Sequence, residues 1–311
     1  MYEKIANVME LTHEEWLKLR KTGIGGSDAG AVLGVNPYKS PMHVFYEKTC
    51  TESAEEEEKE AVRIGHDLEE YVAARFCEAT GFKVRRSNFM YRSIENPFMI
   101  ADVDRMIVGE DAGLECKTTS AYGADNWKDG DIPLPYIFQA YHYMAVTGKR
   151  TWYIACVILG REFVYRKLMW DADLIERMIR VEENFWNEYV LKGIIPAPDG
   201  SEACDEALKQ YYGAAQKGRV IALTGFDEKL ERHQKLREQI ETLSMEQKQI
   251  EQEVKLFMAE NETAVSPKFR VKWSNVESTR IDTGRLKEEL PEVYKNYGKT
   301  INARSFTIKA A

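Results

Sequence analysis

The sequence predicts an α/β fold followed by a helical C-terminal extension, and three observations carry that expectation. Residues 60–192 run helix, strands, helix, hairpin, helix, an alternation that fits helices packed on a sheet rather than an all-α bundle. Pro196-Ala197-Pro198-Asp199-Gly200 then breaks the pattern and marks a boundary between a core of residues 1–197 and an extension of residues 198–311. Beyond it, Leu236, Ile240, Leu243, Ile250, Val254 and Phe257 follow 4-3 spacing with Gln247 in the same seam, the pattern of a coiled coil or helical hairpin within residues 226–260.

Each element has its own local signal. Residues 12–21 form a short helix, with Thr12 as N-cap and Glu15 at the capping-box position. A glycine-rich turn, Thr22-Gly23-Ile24-Gly25-Gly26-Ser27-Asp28, leads into a helix from about Asp28 to Leu33, ended by Gly34. Pro41 at a first turn opens a helix reaching Lys48. In residues 61–80, Leu68, Val72 and Phe76 recur every four residues and Gly81 closes the helix. Strands are expected within residues 82–108, with Gly109-Glu110-Asp111 as a turn and Gly113 to Thr119 as the returning strand. A helix over residues 135–147 stops at Gly148; a hairpin joins residues 151–159 and 162–169 through Gly160-Arg161; a long helix covers residues 171–192. Strand-like pieces recur near the end, at Phe269 to Trp273 and Ser305 to Ile308.

Composition bounds the function. With 44% hydrophobic and 30% charged residues the chain reads as a soluble globular protein, and no apolar run approaches the roughly 20 residues that span a bilayer. The start, Met1-Tyr2-Glu3-Lys4, lacks the apolar stretch of a signal peptide, so a cytoplasmic location is expected. Cys50, Cys77, Cys116, Cys156 and Cys204 are scattered without a CxxC pair, which argues for reduced thiols and against a zinc or iron–sulfur site. The net charge of −8 speaks against nonspecific coating of nucleic acid, but leaves room for a local basic face. Much of the acid is concentrated in Glu55 to Glu58 and Glu60, a solvated loop by composition. Residues 261–311 are locally basic, with ten Lys/Arg against six Asp/Glu.

One constellation carries chemistry. Residues two apart on a strand share a face, so Glu115 and Lys117 point the same way, and a hairpin through Gly109 can bring Asp104 beside Glu115. Two carboxylates and one ammonium then converge. Hard oxygen ligands of this kind suit Mg²⁺ or Mn²⁺, and a bound metal can activate water and polarise a phosphodiester. Glu-x-Lys occurs four times in the chain, yet only at Glu115 does it sit on a predicted strand just downstream of an aspartate-bearing strand. The competing interpretation is a surface salt-bridge ladder. Asp102 shares a face with Asp104 and is an alternative ligand.

Further residues support the constellation. Glu69 lies one helical turn from Gly65, a residue small enough for close approach of backbone or phosphate, and could add an acid near the metal; otherwise it is a helix-surface glutamate. Gln139 and Tyr143 are four apart on one helical face, suited to hold water or phosphate. Arg20, Lys21 and Ser27 frame the glycine-rich turn, where backbone amides at a helix start attract phosphate; without a Gly-Lys-Ser/Thr ending it is not a Walker loop. Lys83, Arg85 and Arg86 form a basic patch suited to the DNA backbone.

In this order, over about residues 10–195, these residues resemble the YqaJ-type viral recombinases, relatives of phage lambda exonuclease in the PD-(D/E)xK nuclease superfamily. The resemblance rests on Trp16, Arg20, Gly25-Gly26-Ser27-Asp28 and Gly34-Val35-Asn36-Pro37-Tyr38, then Gly65 to Glu69, Asp104, Glu115 with Lys117, and Gln139 with Tyr143. Val103 and Arg105 stand where the family often has proline and glycine.

The resemblance implies a mixed central sheet flanked by helices and Mg²⁺-dependent digestion of double-stranded DNA from an end, 5′ to 3′. It assigns metal binding to Asp104, Glu115 and the Cys116 backbone carbonyl, help with the attacking water to Lys117 and Gln139, and the 5′-terminal phosphate to Arg20 and Ser27. A trimeric ring around DNA and a single-strand annealing partner follow from the same source, as does the phage or prophage setting in a bacterial cell. A related endonuclease, or a non-catalytic DNA-binding or assembly module using residues 226–260, are the competing readings. The extension of about residues 200–311 resembles one seen in longer YqaJ-type proteins, without a role that the core implies.

Overall fold

A computed structural model describes residues 1–50, 60–299 and 304–309, so the acidic run at Glu55 to Glu58 lies outside the described residues. The chain divides into two compact units, Met1–Gly213 and Ala214–Ala311.

The first unit begins with β1 (Tyr2–Asn7), α1 (His13–Arg20), α2 (Gly26–Val32), α3 (Pro41–Thr49) and α4 (Glu60–Thr80). The capping box of Thr12 and Glu15 forms at the start of α1. Helix α2 starts earlier than expected, at Gly26, because Asp28 occupies the third position of its first turn and accepts the Gly25 N–H at 3.0 Å. Four short strands follow: β2 (Val84–Arg86), β3 (Phe89–Ser93), β4 (Ile100–Asp102) and β5 (Arg105–Ile107). Then come β6 (Ala112–Thr119), α5 (Leu134–Thr147), β7 (Thr151–Ile158), β8 (Glu162–Met169) and α6 (Ala172–Phe185). A π-turn, Trp186–Val190, continues α6 toward the end expected near residue 192.

The main sheet has the order β2-β5-β6-β7-β8. Only β6 and β7 are parallel, with α5 in the crossover between them, so the sheet is mixed. A second sheet, β1-β3-β4, is antiparallel. Strand periodicity divides the core in two. On β7, Trp152, Ile154, Cys156 and Ile158 join Ala140, Met144 and Val146 of α5, while Tyr153 and Ala155 join Val72, Ala73 and Phe76 of α4. Leu114 and Cys116 of β6 face the α4 layer, which leaves Glu115 and Lys117 toward α5. Helices thus flank a mixed sheet, as expected.

Close packing of α2 on α5 depends on two glycines. A methyl on Gly26 would lie 2.4 Å from the Tyr143 ring, and one on Gly30 would lie 2.9 Å from the Pro135 backbone. A buried ion pair then fixes α5 to α6: His142 Nδ1 stands 3.0 Å from both Glu182 carboxylate oxygens, and its Nε2 stands 2.9 Å from the Ile100 carbonyl of β4. Both ring nitrogens face acceptors, so the ring carries both protons. Burial alone would push this imidazole down, but Glu182 and the Ile100 carbonyl outweigh it and hold the pKa above the ordinary value. Stability from this pair is therefore complete below the ordinary imidazole pKa and lost as pH rises through the raised value. Thermal melts as pH rises above the ordinary imidazole range should show a falling Tm that Glu182→Gln flattens; identical slopes would contradict the assignment.

The first unit extends past the boundary expected at residues 197/198. Helix α7 (Glu202–Tyr212) packs on α3, with Tyr211 stacked on Tyr46 at 3.9 Å between ring centroids, and Gly213 ends it at φ 54°. Proline-rich chain thus joins two elements of one unit, and the division falls after Gly213.

The second unit contains α8 (Asp227–Met258), the hairpin of β9 (Thr263–Val265) and β10 (Arg270–Lys272), α9 (Thr283–Glu289) and α10 (Pro291–Tyr297). Helix α8 is continuous over 32 residues, so its heptad spacing belongs to one unbroken run and not to a helical hairpin. Strand β10 falls within the expected Phe269 to Trp273, whereas Ser305 to Ile308 form no strand. Among the described residues no helix is long and apolar enough to cross a membrane.

Candidate active site

The site forms where β5 ends and β6 continues. Arg105 pairs with Leu114 and Met106 with Gly113, so Asp104 stands just beyond the last ladder pair. There its carboxylate takes over the role of a strand, accepting the Cys116 N–H at 2.7 Å. A residue's N–H and C=O leave a strand on the same edge, so the Cys116 carbonyl also faces the Asp104 side. Glu115, next in sequence, projects toward α5. Its Oε1 accepts from Lys117 Nζ at 2.7 Å and from Gln139 Nε2 at 2.7 Å, and Gln139 Nε2 also lies 2.9 Å from the Tyr143 hydroxyl. Asp104, Glu115, Lys117, Gln139 and Tyr143 are thus brought together.

Asp102 takes a different place. It ends β4 of the smaller sheet and accepts the indole N–H of Trp16 at 2.9 Å. The carboxylate beside Glu115 is that of Asp104.

Glu69 is not a free helix-surface acid. Its side chain is 16% exposed and is paired with Arg105, itself 3% exposed; Arg105 also reaches Glu70 at 2.9 Å and the Asp104 carbonyl at 2.9 Å. The arginine just after Asp104 therefore ties α4 to the carboxylate cluster. Gly65 has a different status from Gly26: a methyl there meets only the Thr118 hydroxyl, at an ordinary 3.8 Å, so internal packing does not require this glycine.

The electrostatics are those of an anionic cluster short of positive charge. Burial, then Glu115, pushes the Asp104 carboxyl well above its usual range, against the pull of Lys117. Burial also raises Glu115, against Lys117. Burial would lower Lys117, but Glu115 and Asp104 outweigh it and hold the ammonium firmly protonated. Burial, Glu115 and Asp104 keep the Tyr143 phenol protonated as well. Glu115 Oε2 is buried without a hydrogen-bond partner. A buried carboxylate oxygen left unsatisfied costs about 1–3 kcal/mol or more. Oxygen donors so placed, with an orphaned oxygen and mutually repelling carboxyls, fit a hard divalent cation. Among the described residues no three His, Cys, Asp or Glu side chains form a metal cluster by themselves, so the fit rests on the carboxylate pair and the backbone carbonyl.

A second, cationic cluster adjoins through Tyr143, which packs on Gly26 at the start of α2. Arg20 Nη2 donates to Ser27 Oγ at 2.9 Å and lies 3.3 Å from Asp28. Asp28 is fully buried and also binds Lys39 at 2.8 Å and Lys48 at 2.7 Å. Burial would raise the Asp28 carboxyl, but Lys39, Lys48 and Arg20 hold it well below the usual range. Arg20 and Ser27 are legible in the sequence as phosphate contacts; Asp28 and Arg105 enter there only as motif positions, Lys48 only as a helix end, and Lys39 not at all. Lys48 carries one signal, since it lies on the same helical stripe as the buried Val44 and Phe45.

Comparison with known proteins bears on the family and the fold. A family model described as the YqaJ-like viral recombinase domain matches residues 15–150. The chain is 40% identical over 310 residues to the uncharacterized protein YqaJ of Bacillus subtilis (strain 168), covering 99% of this chain and 97% of that one. Among solved structures, the alkaline exonuclease LHK-Exo of Laribacter hongkongensis matches with a TM-score of 0.50 at 20% identity, covering 64% of this chain and 97% of that one. A structure of LHK-Exo in complex with dAMP matches equally well. At that identity the match speaks for the fold.

Proposed function

Because the chain belongs to the YqaJ-like viral recombinase family, we propose that it is a metal-dependent DNA exonuclease acting on ends of double-stranded DNA. The observation that carries this reading is the pairing of Asp104 with Glu115 beside a protonated Lys117, with Glu115 Oε2 left unsatisfied. Asp104, Glu115 and the Cys116 carbonyl would hold Mg²⁺, or Mn²⁺ in its place. When bound, such an ion polarises the phosphodiester and lowers the pKa of water.

The chain's own groups have separable roles. Lys117 bonds to Glu115 at the edge of the carboxylate pair, so it would serve as a hydrogen-bond donor and positive charge for the reacting phosphate. Gln139, backed by Tyr143, fixes Glu115 through Oε1 and leaves Oε2 for the metal. Glu69 is a third acid, oriented by Arg105. Arg20 and Ser27, with Lys39 close by, would receive the terminal 5′-phosphate and so favour 5′-to-3′ digestion. The alkaline exonuclease of like fold, with dAMP in its complex, supports a deoxynucleotide-releasing reaction. Single-stranded tails for recombination, a ring-shaped homo-oligomer and a single-strand annealing partner in a bacterial cytoplasm complete the proposal.

The test compares end-labelled linear duplex, with and without a 5′-phosphate, against covalently closed circular DNA in the presence of Mg²⁺. Digestion of linear DNA alone, faster with the 5′-phosphate and stopped by a chelator, is expected. Equal cutting of closed circles would favour an endonuclease, and no cutting in any metal would favour a binding module.

A further inference from the structure

Helix α8 is 32 residues long and has a single buried residue, Met258. Its seam is exposed: Ile240 is 63%, Leu243 64% and Phe257 87% accessible. Helices of soluble proteins draw most of their stability from packing one apolar face, so a helix of this length with an open heptad seam calls for a partner.

The charges beside the seam identify that partner. With Leu236, Leu243, Ile250 and Phe257 at d, and Ile240, Gln247 and Val254 at a, the charged e and g positions beside the seam are Arg232 and Arg237 in the first half and Glu246, Glu251 and Glu253 in the second, with Gln239 and Ser244 uncharged between them. One end of the seam is thus bordered by cations and the other by carboxylates. Parallel pairing places each g beside the e five residues on, which sets Arg232 against Arg237 and Glu246 against Glu251, both repulsive. Antiparallel pairing changes the balance. With Ile240 layered on Ile250 of a second copy, Leu236 meets Val254, Leu243 meets Gln247, and Arg237 comes beside Glu251. That attraction occurs twice by symmetry, against a single repulsion where Glu246 meets its own copy near the two-fold axis. The helix is therefore complementary to itself in the antiparallel direction.

We infer that α8 is a self-association surface that pairs antiparallel with α8 of a second copy of this chain. The pairing joins copies through the second unit and is independent of the nuclease reading, because it uses no residue of the carboxylate site.

Sedimentation equilibrium of the full-length chain tests it. The wild-type chain should associate reversibly, and Ile240→Asp with Ile250→Asp should abolish that association step while the cooperative thermal unfolding of the first unit stays unchanged, since neither position belongs to that unit. Arg237→Glu turns two symmetric attractions repulsive and should weaken association about tenfold; adding Glu251→Arg should restore it. Equal assembly mass for the wild type and the Ile240/Ile250 variant would overturn the inference. So would tighter association of Arg237→Glu, the outcome a parallel pair requires.

Discussion

Replacing Lys117 by alanine, or Asp104 by asparagine, is expected to lower DNA cleavage about a thousandfold or more while leaving DNA binding nearly intact. Among the described residues Lys117 is the one cation bonded to the carboxylate pair, and Glu115 and Asp104 hold it protonated. Without it, charge developing in the transition state has no compensating donor. In Asp104→Asn the amide would keep the shape and could still accept the Cys116 N–H. It would lose the negative charge that a divalent ion needs. Single-turnover cleavage measured beside equilibrium binding separates the two effects. Full activity in both variants would remove the carboxylate–lysine site from the mechanism, and a parallel loss of binding would assign these residues to DNA affinity instead.

Asp28→Asn is expected to cost about 3–5 kcal/mol of stability, because it leaves Lys48 and Lys39 without their buried counter-charge. Lys48 is pushed down by burial and recovers only part of that shift from Asp28, so it would be the first cation to lose its proton in the variant. The acid limb gives a second readout. A carboxyl held well below the usual range stabilises the fold above its unfolded pKa, and that stabilisation is lost as pH falls through the depressed value. The wild type should therefore lose stability below the ordinary aspartate range, and Asp28→Asn should lack this contribution. Urea unfolding at neutral and acid pH measures both; an unchanged midpoint at neutral pH would show that the cations find other partners.

These two clusters differ in how far the sequence exposes them. Glu115 and Lys117 are legible because strand alternation puts residues two apart on one face, and Gln139 and Tyr143 because one helical turn does the same. The helix caps at Thr12 and the positive-φ glycines Gly34, Gly81, Gly109 and Gly148 are local as well, so the ends of elements are readable. The continuous α8 and the boundary after Gly213 are less so. Heptad spacing is the same in a straight helix and in a hairpin, and a proline-rich segment looks like a linker whether or not the next helix folds back onto the core.

By itself the sequence determined the periodicities, the turns and the cap residues, and hence an α/β core bearing an acid, acid, lysine set. Only the tertiary structure shows that Asp104, and not Asp102, lies beside Glu115, because that depends on where β5 stops pairing with β6 and on the Trp16 indole reaching Asp102 across 86 residues. It likewise decided that Arg105 holds Glu69, and that Lys39 and Lys48 converge on Asp28. Local patterns record which way a side chain leaves its own backbone. Which distant charge it meets is set by the packing of whole elements and by the cost of burying any charge unpaired.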